Sequence, residues 1–181
     1  MSNIRFTTFP RTEPPAAFIY DVIDVFRAHE QSICTISLEK GLESNAVLAQ
    51  LCPGLQKLGF QVEVGKTNAE KIRRPVFFGE NGKPNLEYQV DAFQPEWRCG
   101  LEVEAGRGAQ GNAVYKDLVQ AMVMVDVDTL ILALANNYKY RNTKTGKIIN
   151  SADYDKAVAI ADALYRHDRI RMPYRLAVVG Y

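Results

Sequence analysis

The stretch "CGLEVEAGRGAQGNAVYKDLVQAM", Cys99 to Met122, decides how this chain is read. Gly106-Arg107-Gly108-Ala109-Gln110-Gly111 spells G-x-G-x-x-G between a strand-like and a helix-like segment, the pattern of a dinucleotide-binding turn. Just before it, Glu102-Val103-Glu104 sets two carboxylates at i and i+2, on one face of a strand. The first pattern would cradle a pyrophosphate with backbone N–H groups. The second would offer oxygen ligands to a hard cation.

Downstream, Val114, Leu118, Ala121, Met122 and Val125 recur at helical spacing and predict one apolar helix face. "TLILALA" (129–135) is an almost wholly apolar run, as expected of a buried central strand. "SADYDKAVAIADALYRH" reads as an amphipathic helix with Ser151 or Asp153 as N-cap. "YRLAVVGY" reads as a last strand. Upstream, "FQVEV" (60–64), "PVFFG", "LEYQVDAF" (86–93) and "CGLEVEA" (99–105) are strand-like. With Asn81-Gly82 and Gln94-Pro95 as turn signals, residues 60–105 predict an antiparallel meander of three or four strands. Pro14-Pro15 opens a helix that runs from Ala16 to about His29. A second helical region covers Leu38 to Leu58, which Pro53-Gly54 should break or kink and Gly59 should end.

A chain of 181 residues is expected to form one domain, 1–181, with a sizeable core. With 47% hydrophobic and 24% charged residues, its composition is that of an ordinary globular protein. No apolar run approaches the roughly 18 residues of a membrane span. The first residues lack the apolar stretch of a secretory signal, so a cytoplasmic location is expected. Cys34, Cys52 and Cys99 cannot all pair and form no C-x-x-C, which points to reduced thiols. His29 and His167 are too few for a multi-histidine metal site. The net charge is +1, but Tyr138 to Arg175 holds nine Lys/Arg against four Asp/Glu, an excess of five positive charges.

Three features count against the dinucleotide reading. Asp126 lies 20 positions after Gly106 but precedes the next strand, whereas a ribose-binding acid ends one. The strand before the glycines should be apolar on both faces, and "LEVE" is not. Only about 70 residues follow Gly111, too few for the usual run of βαβ units. The glycines then read as a strand-to-helix loop that lets backbone N–H groups and Arg107 approach a phosphate.

Asp91 ends the strand before the turn "QPEWRC", and a hairpin of this length can bring it beside Glu102. Three converging carboxylates repel one another and are costly to bury. A hard divalent cation such as Mg²⁺ resolves that, taking a few carboxylates plus waters and leaving room for phosphate oxygens.

Asp91, Glu102-x-Glu104 at the end of a meander, then a helix and a buried strand resemble the PD-(D/E)xK nuclease superfamily. The likeness runs from about Leu38 to Ala135 and is closest to type II restriction enzymes whose third motif reads Glu-x-Glu. It implies an α/β fold with a restriction-endonuclease-like three-layer core: a mixed sheet in α-β-β-β-α-β order, flanked by helices. It implies a Mg²⁺-dependent DNA endonuclease, with Mn²⁺ able to substitute, acting on DNA as a homodimer. A catalytically inactive relative that binds DNA or protein is the alternative. The proline usual before the first acid is replaced by Val90, and Glu104 stands where lysine is common.

By this resemblance Asp91 and Glu102 are the metal ligands, joined by the Val103 carbonyl, and Glu104 ligates metal or orients the attacking water. Glu43, or Glu39 one turn earlier, is a further ligand from the preceding helix. Asn112, Lys116 and Gln120 form an i, i+4, i+8 polar stripe. In it Lys116 is the candidate for the missing positive charge and Gln120 for positioning water or phosphate. Arg107 and the basic run "YKYRNTKTGK", with Lys139, Arg141 and Lys144, are candidates for gripping phosphates, as is "KTNAEKIRR" (66–74). Trp97 is expected to pack the hairpin rather than stack on a base.

Overall fold

The computed structural model describes residues 2–38, 41–65, 67, 70–106, 111–141 and 145–181, with Arg141 described by its backbone alone. In chain order the elements are β1 (Arg5–Phe9), α1 (Ala17–Ala28), the short α2 (Glu30–Ile33), α3 (Ser44–Lys57), β2 (Gln61–Val62), β3 (Ile72–Phe78), β4 (Pro84–Val90), β5 (Ala92–Gln94), β6 (Cys99–Glu104), α4 (Ala113–Val123), β7 (Thr129–Leu134), β8 (Tyr138–Arg141), β9 (Ile148–Ser151), α5 (Asp153–Arg166) and β10 (Arg175–Gly180).

The apolar run 129–134 does what its composition demands. All six residues of β7 are buried, and β7 lies inside a six-stranded sheet of order β1-β10-β7-β6-β5-β2. β6, β7 and β10 run parallel, while β1 and β5 pair antiparallel with β10 and β6. Strand alternation then divides the core in two. Leu101, Val103, Ile131 and Ala133 pack with Ile23 and Phe26 of α1 and Leu51 and Leu55 of α3. Leu130, Leu132 and Leu134 pack on the other face with Val114 and Leu118 of α4 and Ala157 and Ala161 of α5. Each such buried aliphatic side chain contributes about 1.5–3 kcal/mol of transfer free energy. The result is a mixed sheet between two helical layers, and α3, β2, β5, β6, α4 and β7 follow the expected α-β-β-β-α-β order.

Several local expectations are corrected. Residues 60–105 do not form one meander: β3 and β4 make a separate two-stranded hairpin, and β2, β5 and β6 join the main sheet. The strand 86–93 breaks at Asp91 into β4 and β5. Arg74 carries the hairpin's anchorage. Its guanidinium pairs with Asp126 and lies 3.8 Å over the Phe93 ring.

Pro53 stays inside α3, because the helix buries Val47, Leu48, Leu51 and Leu55 on both sides of it. Gly54 is there for close packing: a Cβ at that position would meet Val25 Cγ1 at 2.6 Å. Gly59, at φ +84°, ends the helical region as its sequence position suggests. The edge strand β1, the short α2 and the β8–β9 hairpin, whose first strand lies in the basic run, have no counterpart in the sequence reading. Ala152 occupies the N-cap position of α5, while the Ser151 hydroxyl donates to the Asp153 carboxylate.

Candidate active site

β5 and β6 pair antiparallel with Ala92 opposite Leu101 and Phe93 opposite Gly100. Extending that register by one residue places Asp91 opposite Glu102. Phe93 belongs to the core layer of α4 and α5, so alternation directs Asp91 and Glu102 to that same face. The Asp91 Oδ2 atom accepts the Val103 N–H at 2.8 Å, and the Glu63 N–H donates to the Asp91 carbonyl at 2.8 Å. Asp91 is thereby fixed by backbone donors on both neighbouring strands.

A cleft of about 330 Å³ opens here, and its lining includes Asp91, Glu102, Lys116 and Gln120 together with Glu63 and Tyr88. Four of the candidate residues thus line one cleft. The i, i+4 spacing on α4 aims Lys116 and Gln120 into it. Asn112 stands at the N-cap position of α4, is exposed and does not line the cleft. Glu104 does not line it either, but follows Glu102 on the same strand face.

The carboxyl groups feel one another strongly. Burial pushes Asp91 up to about 6, with the charge of Glu63 adding to the shift and the Val103 N–H opposing it. Burial pushes Glu102 well above the usual carboxylate range, and Asp91 and Asp117 push it further. Glu104 rises to about 7, from burial first and then from the charge of Asp117. Lys116 is the cation that lowers all three.

Asp117 is the acid that sequence reading missed. It lies on the buried stripe of α4 with Val114, Leu118 and Ala121, and is 2% exposed. The Lys116 ammonium is 3.0 Å from its Oδ1, but the approach is not aligned as a hydrogen bond, and both carboxylate oxygens lack a hydrogen-bond partner. An acid at an apolar helical position was the available signal. Glu63 gave none, since only the tertiary fold brings it to Asp91.

Other candidates lie elsewhere. Glu43 occupies the N-cap position of α3 and lines a second cleft of about 350 Å³ with Gly41, Ala105, Gly106 and Lys139. That cleft adjoins the end of β6, because Ser44 Oγ accepts the Ala105 N–H at 2.9 Å. Lys139 donates to the Leu38 carbonyl at 2.9 Å. Arg107, Lys144 and Glu39, and the side chain of Arg141, lie outside the described residues. Trp97 stacks on Phe18 with ring centroids 4.7 Å apart, so it packs the hairpin as expected. Asp126, the acid of the dinucleotide reading, is held by Arg74.

The donor chemistry of the cleft suits a hard divalent cation: the carboxylates of Glu63, Glu87, Asp91 and Glu102 outnumber the one ammonium, Lys116, and Asp117 next to it is buried without a hydrogen bond. Among the described residues, however, no three His, Cys, Asp or Glu side chains are grouped closely enough to hold a metal ion as they stand.

No family model and no curated protein sequence matches the chain. Among solved structures it is similar to the restriction endonuclease BglII complexed with a DNA 16-mer. The identity is 10% over 98% of this chain and 75% of that one, with a TM-score of 0.49. At that degree of likeness the site has to be read from its own residues. Among the described residues no helix is long and apolar enough to cross a membrane.

Proposed function

We propose that this chain is a Mg²⁺-dependent DNA endonuclease of restriction-enzyme type. The observation that carries the reading is the shared cleft of Asp91, Glu102, Lys116 and Gln120, with Glu104 and Asp117 beside it. Burying several like charges next to a single ammonium costs free energy that a structural role would not require. Asp91 and Glu102, with the Val103 carbonyl, are the proposed ligands. Mg²⁺, or Mn²⁺ in its place, would supply positive charge for the phosphodiester and acidify the attacking water.

The remaining roles follow from position. Glu104, next on the same strand face as Glu102, ligates the metal or orients the attacking water. Lys116 faces the cleft with a half-exposed ammonium and offsets phosphate charge. Gln120 positions water or a phosphate oxygen. Arg107, Lys139, Arg141 and Lys144 are proposed DNA contacts on segments that follow β6 and β7. Glu43, the further candidate ligand, lines the separate cleft and does not share that of Asp91 and Glu102.

One observation favours a second reading. The acids do not converge on one point as they stand, which is what a binding protein that has lost cleavage would also show. In the nuclease reading, side-chain rotation on the fixed backbone would bring Asp91 and Glu102 onto one cation. Plasmid nicking in Mg²⁺ or Mn²⁺ across a panel of DNAs separates the two. Cleavage that is lost in EDTA and in Asp91→Asn supports the enzyme. Silence on every DNA, combined with retained DNA binding, supports the binding protein.

A further inference from the structure

Glu63 lines two cavities. One is the acid cleft, and the other is an adjoining pocket of about 250 Å³ between α3 and the segment that follows β2. Asn45, Leu48, Ala49 and Pro53 form one wall of the pocket. They recur at i, i+3, i+4 and i+8, a single helical face beside the stripe of Val47, Leu51 and Leu55 that enters the core. Val64 lines the pocket from the segment after β2 and is 69% exposed, an apolar side chain open to solvent. The boundary between the two cavities is fixed by main chain, since the Glu63 N–H donates to the Asp91 carbonyl at 2.8 Å.

The pocket has the chemistry of neither a metal site nor a phosphate site. Among the described residues its lining holds one carboxylate and no cation. The Glu63 carboxylate repels phosphate, so the group that passes it from the acid cleft is uncharged. The volume lies below the roughly 300–1,000 Å³ of sites for drug-sized ligands, and suits one flat ring rather than a whole nucleotide. Its polar groups are an acceptor, Glu63, and an amide that both donates and accepts, Asn45. Apolar walls with a few hydrogen-bonding groups at the rim match the faces and edge of a nucleobase. We propose that this pocket takes one unpaired base of the substrate strand while the neighbouring phosphodiester lies in the acid cleft. The inference rests on the reading of that cleft as the place of the phosphodiester. It adds the substrate class: a single strand, or a duplex from which one base is extruded, because a paired and stacked base cannot enter. Glu63 accepts from an exocyclic amine, which adenine, cytosine and guanine carry and thymine lacks.

The test measures binding of the full chain to three oligonucleotides, in EDTA and again in Ca²⁺. The probes are a single strand with a central 2-aminopurine, the same strand with an abasic residue in its place, and the fully paired duplex. The expected result is that the 2-aminopurine strand binds more tightly than the abasic strand by roughly tenfold, as for burial of one ring. Its fluorescence should rise on binding, because no aromatic ring is among the described residues that line the pocket. Ala49→Trp and Val64→Trp fill the pocket from its two sides. Each should remove the preference for the base and leave binding of the abasic strand unchanged. The unfolding transition of each variant is recorded alongside, and the two lie on different segments, so one lost to misfolding leaves the other to decide. Equal binding of the two strands by the parent, a preference unchanged in a folded variant, or no binding of any strand overturns the proposal. Mg²⁺-dependent cleavage at full rate by both folded variants would overturn the base pocket and leave the nuclease reading standing. A base preference that both variants abolish, with no DNA cut, would do the reverse.

Discussion

The Asp91 carboxylate accepts the N–H of Val103 at 2.8 Å, so the acid that breaks one strand is tied to the backbone between the two glutamates of the next. That bond uses one oxygen and leaves the other for a ligand. It also pins the side chain by the main chain of β6, which small shifts of neighbouring side chains do not disturb. Asp91→Ala removes both the ligand and the tie. Asp91→Asn keeps an acceptor for the Val103 N–H and removes the charge. If the site works as proposed, cleavage is lost in both variants. In metal-free protein above pH 7 the Asn variant, relieved of a desolvated charge, is at least as stable as the parent, and the Ala variant is less stable than the Asn variant by about 1 kcal/mol or more through loss of the hydrogen bond. Full-rate cleavage by Asp91→Asn would be incompatible with its role as a ligand.

The raised carboxyl pKa values fix the sign of a pH effect on the metal-free protein. Asp91 at about 6 and Glu104 at about 7 lie above their ordinary values of 3.8 and 4.5. Between those limits the folded chain binds protons that the unfolded chain does not. Stability therefore rises as pH falls from above 7 toward about 4.5, by on the order of a few kcal/mol over the site. Saturating Mg²⁺ holds the acids ionised and should flatten the trend. Urea unfolding at a series of pH values measures this, and stability that falls steadily over the same window would contradict it.

Asp117 sits in the same balance. Asp117→Asn removes a desolvated charge while its amide N–H can donate to the neighbouring Glu104 carboxylate. The half-exposed ion pair with Lys116 that is lost is worth at most about 1 kcal/mol. Metal-free protein at pH 8 should gain stability, on the order of 1 kcal/mol, and the Glu104 titration should shift downward. Carboxyl NMR reads the second effect directly. An unchanged Glu104 titration would show that the two acids are not coupled.

Lys116→Met keeps the stem and removes the ammonium. Without it nothing offsets the acids or the phosphate from α4. Cleavage should fall by on the order of 2–4 kcal/mol in transition-state stabilisation, less than for loss of a metal ligand. Single-turnover kinetics under saturating metal provides the comparison.

Gly54 supplies a check on the scaffold rather than the site. Gly54→Ala places a methyl against Val25 and should cost about 1–3 kcal/mol through overpacking. Val25→Ala in the same chain should recover part of that loss. Additive destabilisation by the two changes would mean that α1 and α3 are not packed through this pair.

The sheet and site were legible where a pattern is local. Alternation in "CGLEVE" and the apolar run 129–134 identified β6 and β7, and the length of the turn 94–99 implied that Asp91 would meet Glu102. The helical spacing of Lys116 and Gln120 carried them to the same cleft. What depends on tertiary choice was not legible. Whether β3 and β4 join the main sheet rests on the anchorage of Arg74 by Asp126 and Phe93, distant in sequence. Pro53 is a helix breaker by local rules and is overridden by the buried residues on either side of it. Asp117 was passed over because it occupies a position where the apolar pattern of α4 leads one to expect another aliphatic residue.

Whether the acidic cleft holds a divalent cation separates a metal-dependent enzyme from a binding protein. Calorimetric titration of Mg²⁺ or Mn²⁺ into the protein, repeated in buffers of different ionisation enthalpy, measures the binding and the protons released with it. The predicted result is saturable binding that releases protons near pH 6–7, where Asp91 and Glu104 are partly protonated, and that disappears in Asp91→Ala. No detectable binding, or binding unchanged in Asp91→Ala, would contradict the proposal.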